Sequence, residues 1–181
     1  MFKIIVLLLS FNLYAESLPN GQLKSIDKKK IDLLDTIDGS YAVINFWFLA
    51  CEPCKKEMLY LSDFNVKYSK YGFKVLSVNT DNSRTLNKVK PFVNSQNYSF
   101  PVLLDPKSLF FRKVGAKVCP YLLVINDKGE IINRHSGYNP GDEIKLEQEI
   151  VSMMYSEISS DTTLTDSSII NILNIIKPSK R

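Results

Sequence analysis

Apolar residues recur along this chain in two periods, and their order predicts its layout. Val43-Ile44-Asn45-Phe46-Trp47-Phe48 is an almost unbroken apolar run of strand length, the pattern of a buried central strand. Beyond it Met58, Leu61, Phe64, Tyr68 and Tyr71 recur at helical spacing, with Lys56, Asp63, Lys67 and Lys70 on the opposite side. That predicts an amphipathic helix over 54–71. Gly72 stops it and 73–79 reads as a second strand, so the three elements make a βαβ unit with a right-handed crossover. Residues 85–97 predict a helix interrupted near Pro91, 100–104 a short strand, and 107–114 a short helix. The runs 121–126 and 130–134 flank Asp127-Lys128-Gly129, the turn residues of a β-hairpin, and a helix follows over 141–154. The expected class is α/β: a central mixed β-sheet with helices on both faces and an antiparallel hairpin at one edge.

The pattern changes at both ends. Lys3 precedes the apolar run Ile4-Ile5-Val6-Leu7-Leu8-Leu9, and Leu13-Tyr14-Ala15 ends in a small residue before Glu16, the form of a secretory signal cleaved after Ala15. The alternative is an anchor that stays attached, but the run is shorter than the roughly 20 apolar residues of a spanning helix. No Cys lies near the cleavage point, which argues against a lipid anchor. The expected organisation is a signal peptide over 1–15, one domain over 16–155, and a tail over 156–181. Within the tail, Ser/Thr-rich 156–166 reads as a linker, and Ile169, Ile172, Leu173 and Ile176 recur at helical spacing before Lys177-Pro178. That short helix either docks on a partner or packs on its own domain, the second being preferred because helices so short are rarely stable unpacked.

Composition narrows the choice of function. With 181 residues, 45% of them hydrophobic, the chain can bury one ordinary core and has no room for a second domain. Its net charge of +4 sets 23 Lys and Arg against 19 Asp and Glu without a basic stripe, so it shows no footprint for nucleic acid. Three cysteines cannot close a disulfide framework, and Cys51 and Cys54 lie only three apart. A bridge across Cys51-Glu52-Pro53-Cys54 closes so small a loop that it stabilises little, which suits a bond that opens and closes.

This pair sits where the first strand runs into the helix. The first helical turn presents unpaired N–H groups and partial positive charge, which favour a thiolate. Cys51 is therefore the expected attacking thiolate and Cys54 the resolving thiol beneath it. Pro53 suits a first-turn position, and Glu52 places a negative charge beside the thiolate that partly offsets the helix. Glu57 is either a surface charge or an inward one. Positions 57, 61, 64 and 68 form one stripe whose other members are Leu, Phe and Tyr, so Glu57 is expected to face inward. A carboxyl buried there has a raised pKa and can carry a proton to and from Cys54.

Asn45-Phe46-Trp47, then Cys51-Glu52-Pro53-Cys54-Lys55-Lys56-Glu57, then Val118-Cys119-Pro120-Tyr121 ahead of a strand, together resemble the TlpA/ResA group of exported thioredoxins over about residues 17–154. The resemblance implies a thioredoxin-like fold and a thiol–disulfide oxidoreductase that reduces the disulfides of client proteins, notably apocytochrome c before haem is attached. It implies that Glu57 is the buried, assisting Glu of that group, doing what a buried Asp at the Asn45 position does in classical thioredoxins. Electrons would be resupplied by a membrane thiol-relay protein of the DsbD/CcdA kind. Such proteins place a cis-proline beside the CxxC, implying that Pro120 is cis, that the Cys119 backbone pairs with the client, and that Cys119 faces the site. The alternative is an ordinary trans proline opening a strand. Glu52, Pro53, Cys119 and Pro120 are thus the expected client-contact residues. This chemistry calls for no cofactor and no metal.

Two departures from the group stand out. Ala50 stands where a Trp commonly precedes the first cysteine, and Cys119 stands where Thr or another non-thiol residue precedes the proline. Cys119 is either a small buried hydrophobe or a third thiol in the exchange. As a third thiol it opens another class of function, a carrier in which Cys51, Cys54 and Cys119 hold Cu(I) or Zn(II). Carriers on this fold usually have a wider cysteine spacing and a nearby His, whereas the only His here is His135. A peroxidase reading is weaker, because Phe48 stands three before Cys51 in place of Thr or Ser. Acidic Glu52 and Glu57 disfavour the thiolate and so favour electron donation, making a reductase the expected activity and an oxidase or isomerase the alternative. The expected location is extracytoplasmic, periplasmic or tethered to the membrane if the first segment is retained.

Overall fold

The computed structural model describes residues 16–158; the signal-peptide reading over 1–15 and the tail reading over 159–181 lie outside the described residues. In chain order the elements are β1 (Glu16–Ser17), β2 (Gln22–Ser25), β3 (Lys30–Asp32), α1 (Leu33–Ile37), β4 (Tyr41–Trp47), α2 (Glu52–Tyr68) and β5 (Phe73–Asn79). There follow α3 (Val89–Gln96), β6 (Val102–Leu104), α4 (Leu109–Lys113), β7 (Tyr121–Ile125), β8 (Glu130–Ser136) and α5 (Asp142–Ile158). The strands form one sheet in the order β1-β8-β7-β4-β5-β6-β2-β3. Its centre, β4-β5-β6, is parallel, and the flanking pairs are antiparallel.

The unbroken apolar run of β4 follows from its place in the sheet. Val43 and Trp47 face a core shared with Cys54, Met58 and Leu61 of α2, Val93 of α3 and Ile150 of α5. Ala42, Ile44 and Phe46 face a second core with Ile37 of α1 and Phe110 of α4. Helices cover both faces, so neither parity of the strand meets water. α2 and α5 lie together on one face, joined where the Tyr68 hydroxyl and Lys67 Nζ each reach Glu147 Oε1 at 2.7 Å.

Several boundaries differ from the sequence expectation for physical reasons. α2 begins at Glu52, ahead of position 54, because Cys51 is its N-cap and Pro53 takes the second helical position. It ends at Tyr68, and a 3₁₀ turn runs to Tyr71 before Gly72 adopts φ +78°, which glycine does without strain. Pro91 does not interrupt a helix: it is the third residue of α3, where its missing N–H has no intrahelical partner to lose, and Leu86–Lys88 is a separate 3₁₀ turn. The β7–β8 hairpin is not the sheet edge, since β1 pairs outside β8. α5 continues to Ile158, so residues 156–158 are helical rather than the opening of a linker. Among the described residues no helix is long and apolar enough to cross a membrane.

Candidate redox site

β4 and β5 end side by side, and the loops leaving them are tied together. The Trp47 carbonyl accepts from the Thr80 N–H at 2.8 Å and from the Thr80 hydroxyl at 3.1 Å. The Leu49 N–H donates to Asp81 Oδ2 at 2.7 Å. That buried carboxylate also accepts from Asn79 Nδ2 at 2.8 Å and from the Thr85 hydroxyl at 2.6 Å, which compensates its lost hydration. The loop over 48–50 is thereby fixed. A turn closed by the Cys51 N–H on the Phe48 carbonyl, 3.0 Å, then delivers Cys51 to the head of α2.

Cys51 and Cys54 are joined in a disulfide, their Cα atoms 5.3 Å apart. The Cys54 N–H, one of those a helix leaves unpaired, donates to Cys51 Sγ at 3.3 Å. With the positive end of α2 behind it, this contact favours negative charge on Cys51 once the bond opens. Cys54 is wholly buried and Cys51 is 5% exposed, so the outer sulfur is recessed but is the one an incoming group can reach. Pro53 is exposed beside it. Glu52 is 74% exposed and pairs with Lys55 Nζ at 2.7 Å, so the opposition to the thiolate expected from its charge is largely offset.

The stripe through Glu57, Leu61, Phe64 and Tyr68 is buried along its length, with Glu57 itself 5% exposed. Glu57 lies three residues beyond Cys54 on the same side of α2. Burial, reinforced by the charge of Asp142, pushes its carboxyl up to about 8. Its Oε2 has no hydrogen-bond partner among the described residues, and the side chain lines a pocket of about 230 Å³ that lies between α2, β8 and the first turns of α5 and opens to solvent.

The Cys119–Pro120 peptide bond is cis, and Pro120 is buried. β7 begins immediately after it, with Tyr121 opposite Phe46 of β4, so Pro120 lies at the cysteine-bearing end of the sheet. Cys119 is a free, half-buried thiol packed against both cores. Burial pushes it up to about 11, a hydrogen bond with Thr80 counters this in part, and the charge of Glu57 adds to it. At neutral pH it is a protonated, small, largely apolar side chain. Among the described residues no group of three or more His, Cys, Asp or Glu side chains is arranged to hold a metal ion. His135 reaches Glu149 Oε2 at 2.7 Å and lines the same cavity as Glu57.

Thr80 and Asp81 belong to no motif, yet they hold the loop that presents Cys51. Their signal is positional: Asn79-Thr80-Asp81-Asn82 sets short polar side chains at the carboxyl end of a buried parallel strand, where open α/β sheets gather their sites.

A thioredoxin-like sheet bearing a CxxC disulfide at the head of a helix defines a thiol–disulfide oxidoreductase. The chain belongs to the Redoxin family, whose model matches residues 14–150. It is 27% identical over 162 residues to the thiol-disulfide oxidoreductase ResA of Bacillus thuringiensis (strain Al Hakam), covering 80% of this chain and 92% of that protein. To ResA of Bacillus subtilis (strain 168) it is 28% identical over 160 residues, covering 88% of this chain and 74% of that one. Among solved structures it is similar to a DsbE-like thiol:disulfide interchange protein of Chlorobium tepidum, with a TM-score of 0.72 at 27% identity over 77% of this chain and 96% of the other. StoA of Bacillus subtilis is similar at a TM-score of 0.59 and 25% identity, over 71% and 96%.

Proposed function

We propose that this oxidoreductase works outside the cytoplasm as a reductase of client proteins, with Cys51 as nucleophile, Cys54 as resolving thiol and Glu57 as proton carrier. The observation that carries the reading is the layering of the site: Cys51 caps α2 with a helix N–H on its sulfur, while Cys54 and Glu57 lie buried behind it. In the dithiol form the Cys51 thiolate attacks a client disulfide, and one client sulfur leaves as a thiolate. Glu57 takes the Cys54 proton. The Cys54 thiolate then attacks Cys51 Sγ, expels the second client thiolate and restores the Cys51–Cys54 bond, so the client gains two electrons. A carboxyl held at about 8 suits this role, because a proton carrier must gain and lose its proton near the working pH.

The sense of electron flow follows from the same burial. Ionising Cys51 and Cys54 next to a buried carboxyl is costly, which destabilises the dithiol relative to the disulfide and makes the protein a donor. With Glu52 offset by Lys55, Glu57 carries this effect. Glu52, Pro53, the Cys119 backbone and Pro120 are the proposed client contacts; the cis bond before β7, at the end of the sheet where β4 runs on towards Cys51, supports this reading. The resemblance to the TlpA/ResA group supports apocytochrome c as a client and a DsbD/CcdA-type membrane relay as electron source. The Lys-led apolar segment within 1–15 supports export.

A Cys54→Ala variant expressed in the native cell should accumulate clients as mixed disulfides on Cys51, released by dithiothreitol and identified by mass spectrometry. Redox titration of the wild type should give a potential more reducing than that of glutathione. A strongly oxidising potential would reassign the protein as an oxidase or isomerase.

A further inference from the structure

We propose that Asp81 is a positioning residue for Cys51: its carboxylate holds the loop over 48–50 so that the outer sulfur keeps its place at the head of α2 after the disulfide opens. This rests on the reading of Cys51 as nucleophile. In the disulfide form a covalent bond to Cys54 ties Cys51 to the helix. In the dithiol form that tie is gone, yet attack on a client needs Cys51 Sγ to stay against the Cys54 N–H, 3.3 Å away, at the positive end of α2. Cys51 itself is extended, with φ −88° and ψ 93°. Its backbone is held by two hydrogen bonds: its N–H on the Phe48 carbonyl at 3.0 Å and the Lys55 N–H on its carbonyl at 3.3 Å. One hydrogen bond closing a short turn contributes little net stability, so the turn over 48–51 needs an outside anchor.

Asp81 supplies that anchor from the sheet. Leu49 lies inside the turn, and its N–H meets Asp81 Oδ2 at 2.7 Å. The same oxygen accepts Asn79 Nδ2 at 2.8 Å, while Oδ1 accepts the Thr85 hydroxyl at 2.6 Å. Asn79 is wholly buried at the end of β5; its Oδ1 accepts the Asp81 N–H at 3.1 Å, and its carbonyl accepts the Asp105 N–H at 2.8 Å. The carboxylate is 7% exposed, so each of these bonds offsets lost hydration and none is easily exchanged for water. The clasp is therefore fixed by strands β4, β5 and β6, and it does not depend on the disulfide.

Two substitutions separate geometry from charge. Asp81→Asn can place its amide oxygen where Oδ2 receives Leu49 and Asn79, and its amide nitrogen where the Thr85 hydroxyl can accept, so the clasp survives without the charge. Asp81→Ala removes both. A negative charge opposes a nearby thiolate, so an effect of charge alone would make both variants attack faster, whereas loss of the clasp slows only Asp81→Ala. The other titratable groups at this end of the domain are Glu52 paired with Lys55, Glu57 on α2 and Cys119 ahead of β7, and they are the same in every variant.

The test follows oxidation of the dithiol protein by glutathione disulfide through the fluorescence of Trp47, the chain's only tryptophan, which packs in the core with both cysteines. The second-order attack reports the Cys51 thiolate, and the first-order step after it reports resolution by Cys54. At about pH 6, Asp81→Ala should slow the attack by roughly three- to tenfold, the range of a lost helix cap. The midpoint of the attack should move to higher pH while that of the resolving step stays, and Asp81→Asn should rescue the attack. An attack unchanged or faster in Asp81→Ala, or slowed equally in Asp81→Asn, overturns the proposal. Should Asp81→Ala fail to fold, the wild type still decides: the Leu49 amide should exchange its hydrogen as slowly in the dithiol form as in the disulfide form, and protection lost on reduction overturns the clasp. Iodoacetamide mapping separates the two claims. Alkylation of Cys54 ahead of Cys51 in the dithiol wild type sinks the nucleophile reading and the clasp with it; alkylation at Cys51 with a wild-type profile in Asp81→Ala loses the clasp alone.

Discussion

At neutral pH the Glu57 carboxyl is mostly protonated in the fold, the ionised minority being the form that can take a proton from Cys54, and it is ionised in the unfolded chain, because burial raises it from an ordinary 4.5 to about 8. The native state then binds a proton that the unfolded state has released, so stability is full below about pH 4.5 and declines as pH rises to about 8, by a few kcal/mol. Glu57→Gln removes the decline. Urea unfolding of the oxidised protein from about pH 5 to about pH 9 should show the variant gaining on the wild type at the alkaline end. Parallel curves would mean that Glu57 is ionised in the native state throughout. The phase of Glu57 was legible in the sequence, since three apolar residues share its stripe. The Glu52–Lys55 pair was legible too, being three apart on a helix, once the helix starts at Glu52. Asp81 was not, because its partner, the Leu49 N–H, lies 32 residues away and nothing local marks it.

Among the elements, β4, α2, β5 and the β7–β8 hairpin were legible because each carries its own period or turn residues. The β2–β3 hairpin was not. Its strands are short and half-exposed, and its turn puts Lys28 at φ +65° with no glycine to signal it. What seats it is a close approach at Gly21, whose carbonyl accepts the Leu33 N–H at 3.0 Å. A Cβ on Gly21 would stand 2.6 Å from the Phe110 ring and 2.8 Å from Leu33 Cδ1, and both side chains are core members. Gly21→Ala should therefore destabilise by about 1–3 kcal/mol through overpacking, read as a lower urea midpoint with an unchanged slope. A neutral result would mean that the hairpin shifts freely, detached from the second core.

At the scale of the whole molecule, the site depends on an element read from sequence only as a helix of unknown docking. α5 buries Leu146, Ile150 and Met154 in the core that holds Cys54, and Glu147 ties it to Tyr68 and Lys67 of α2. This docking sets Asp142, near the far end of the domain in sequence, close enough to Glu57 to oppose its ionisation. Sequence periodicity identifies the face that α5 buries; the sheet order decides which helix that face meets. Asp142→Asn isolates the electrostatic part, since an amide oxygen can still accept the Asn139 N–H. Burial is the larger cause of the Glu57 shift, so the carboxyl should stay well above its ordinary range while the midpoint of the pH–rate profile moves to lower pH by less than about one unit. The profile of dithiol oxidation by glutathione disulfide, followed through Trp47, measures that midpoint. A midpoint moving to higher pH, or none at all, would show that the charge of Asp142 does not reach Glu57 and that desolvation alone sets its proton affinity.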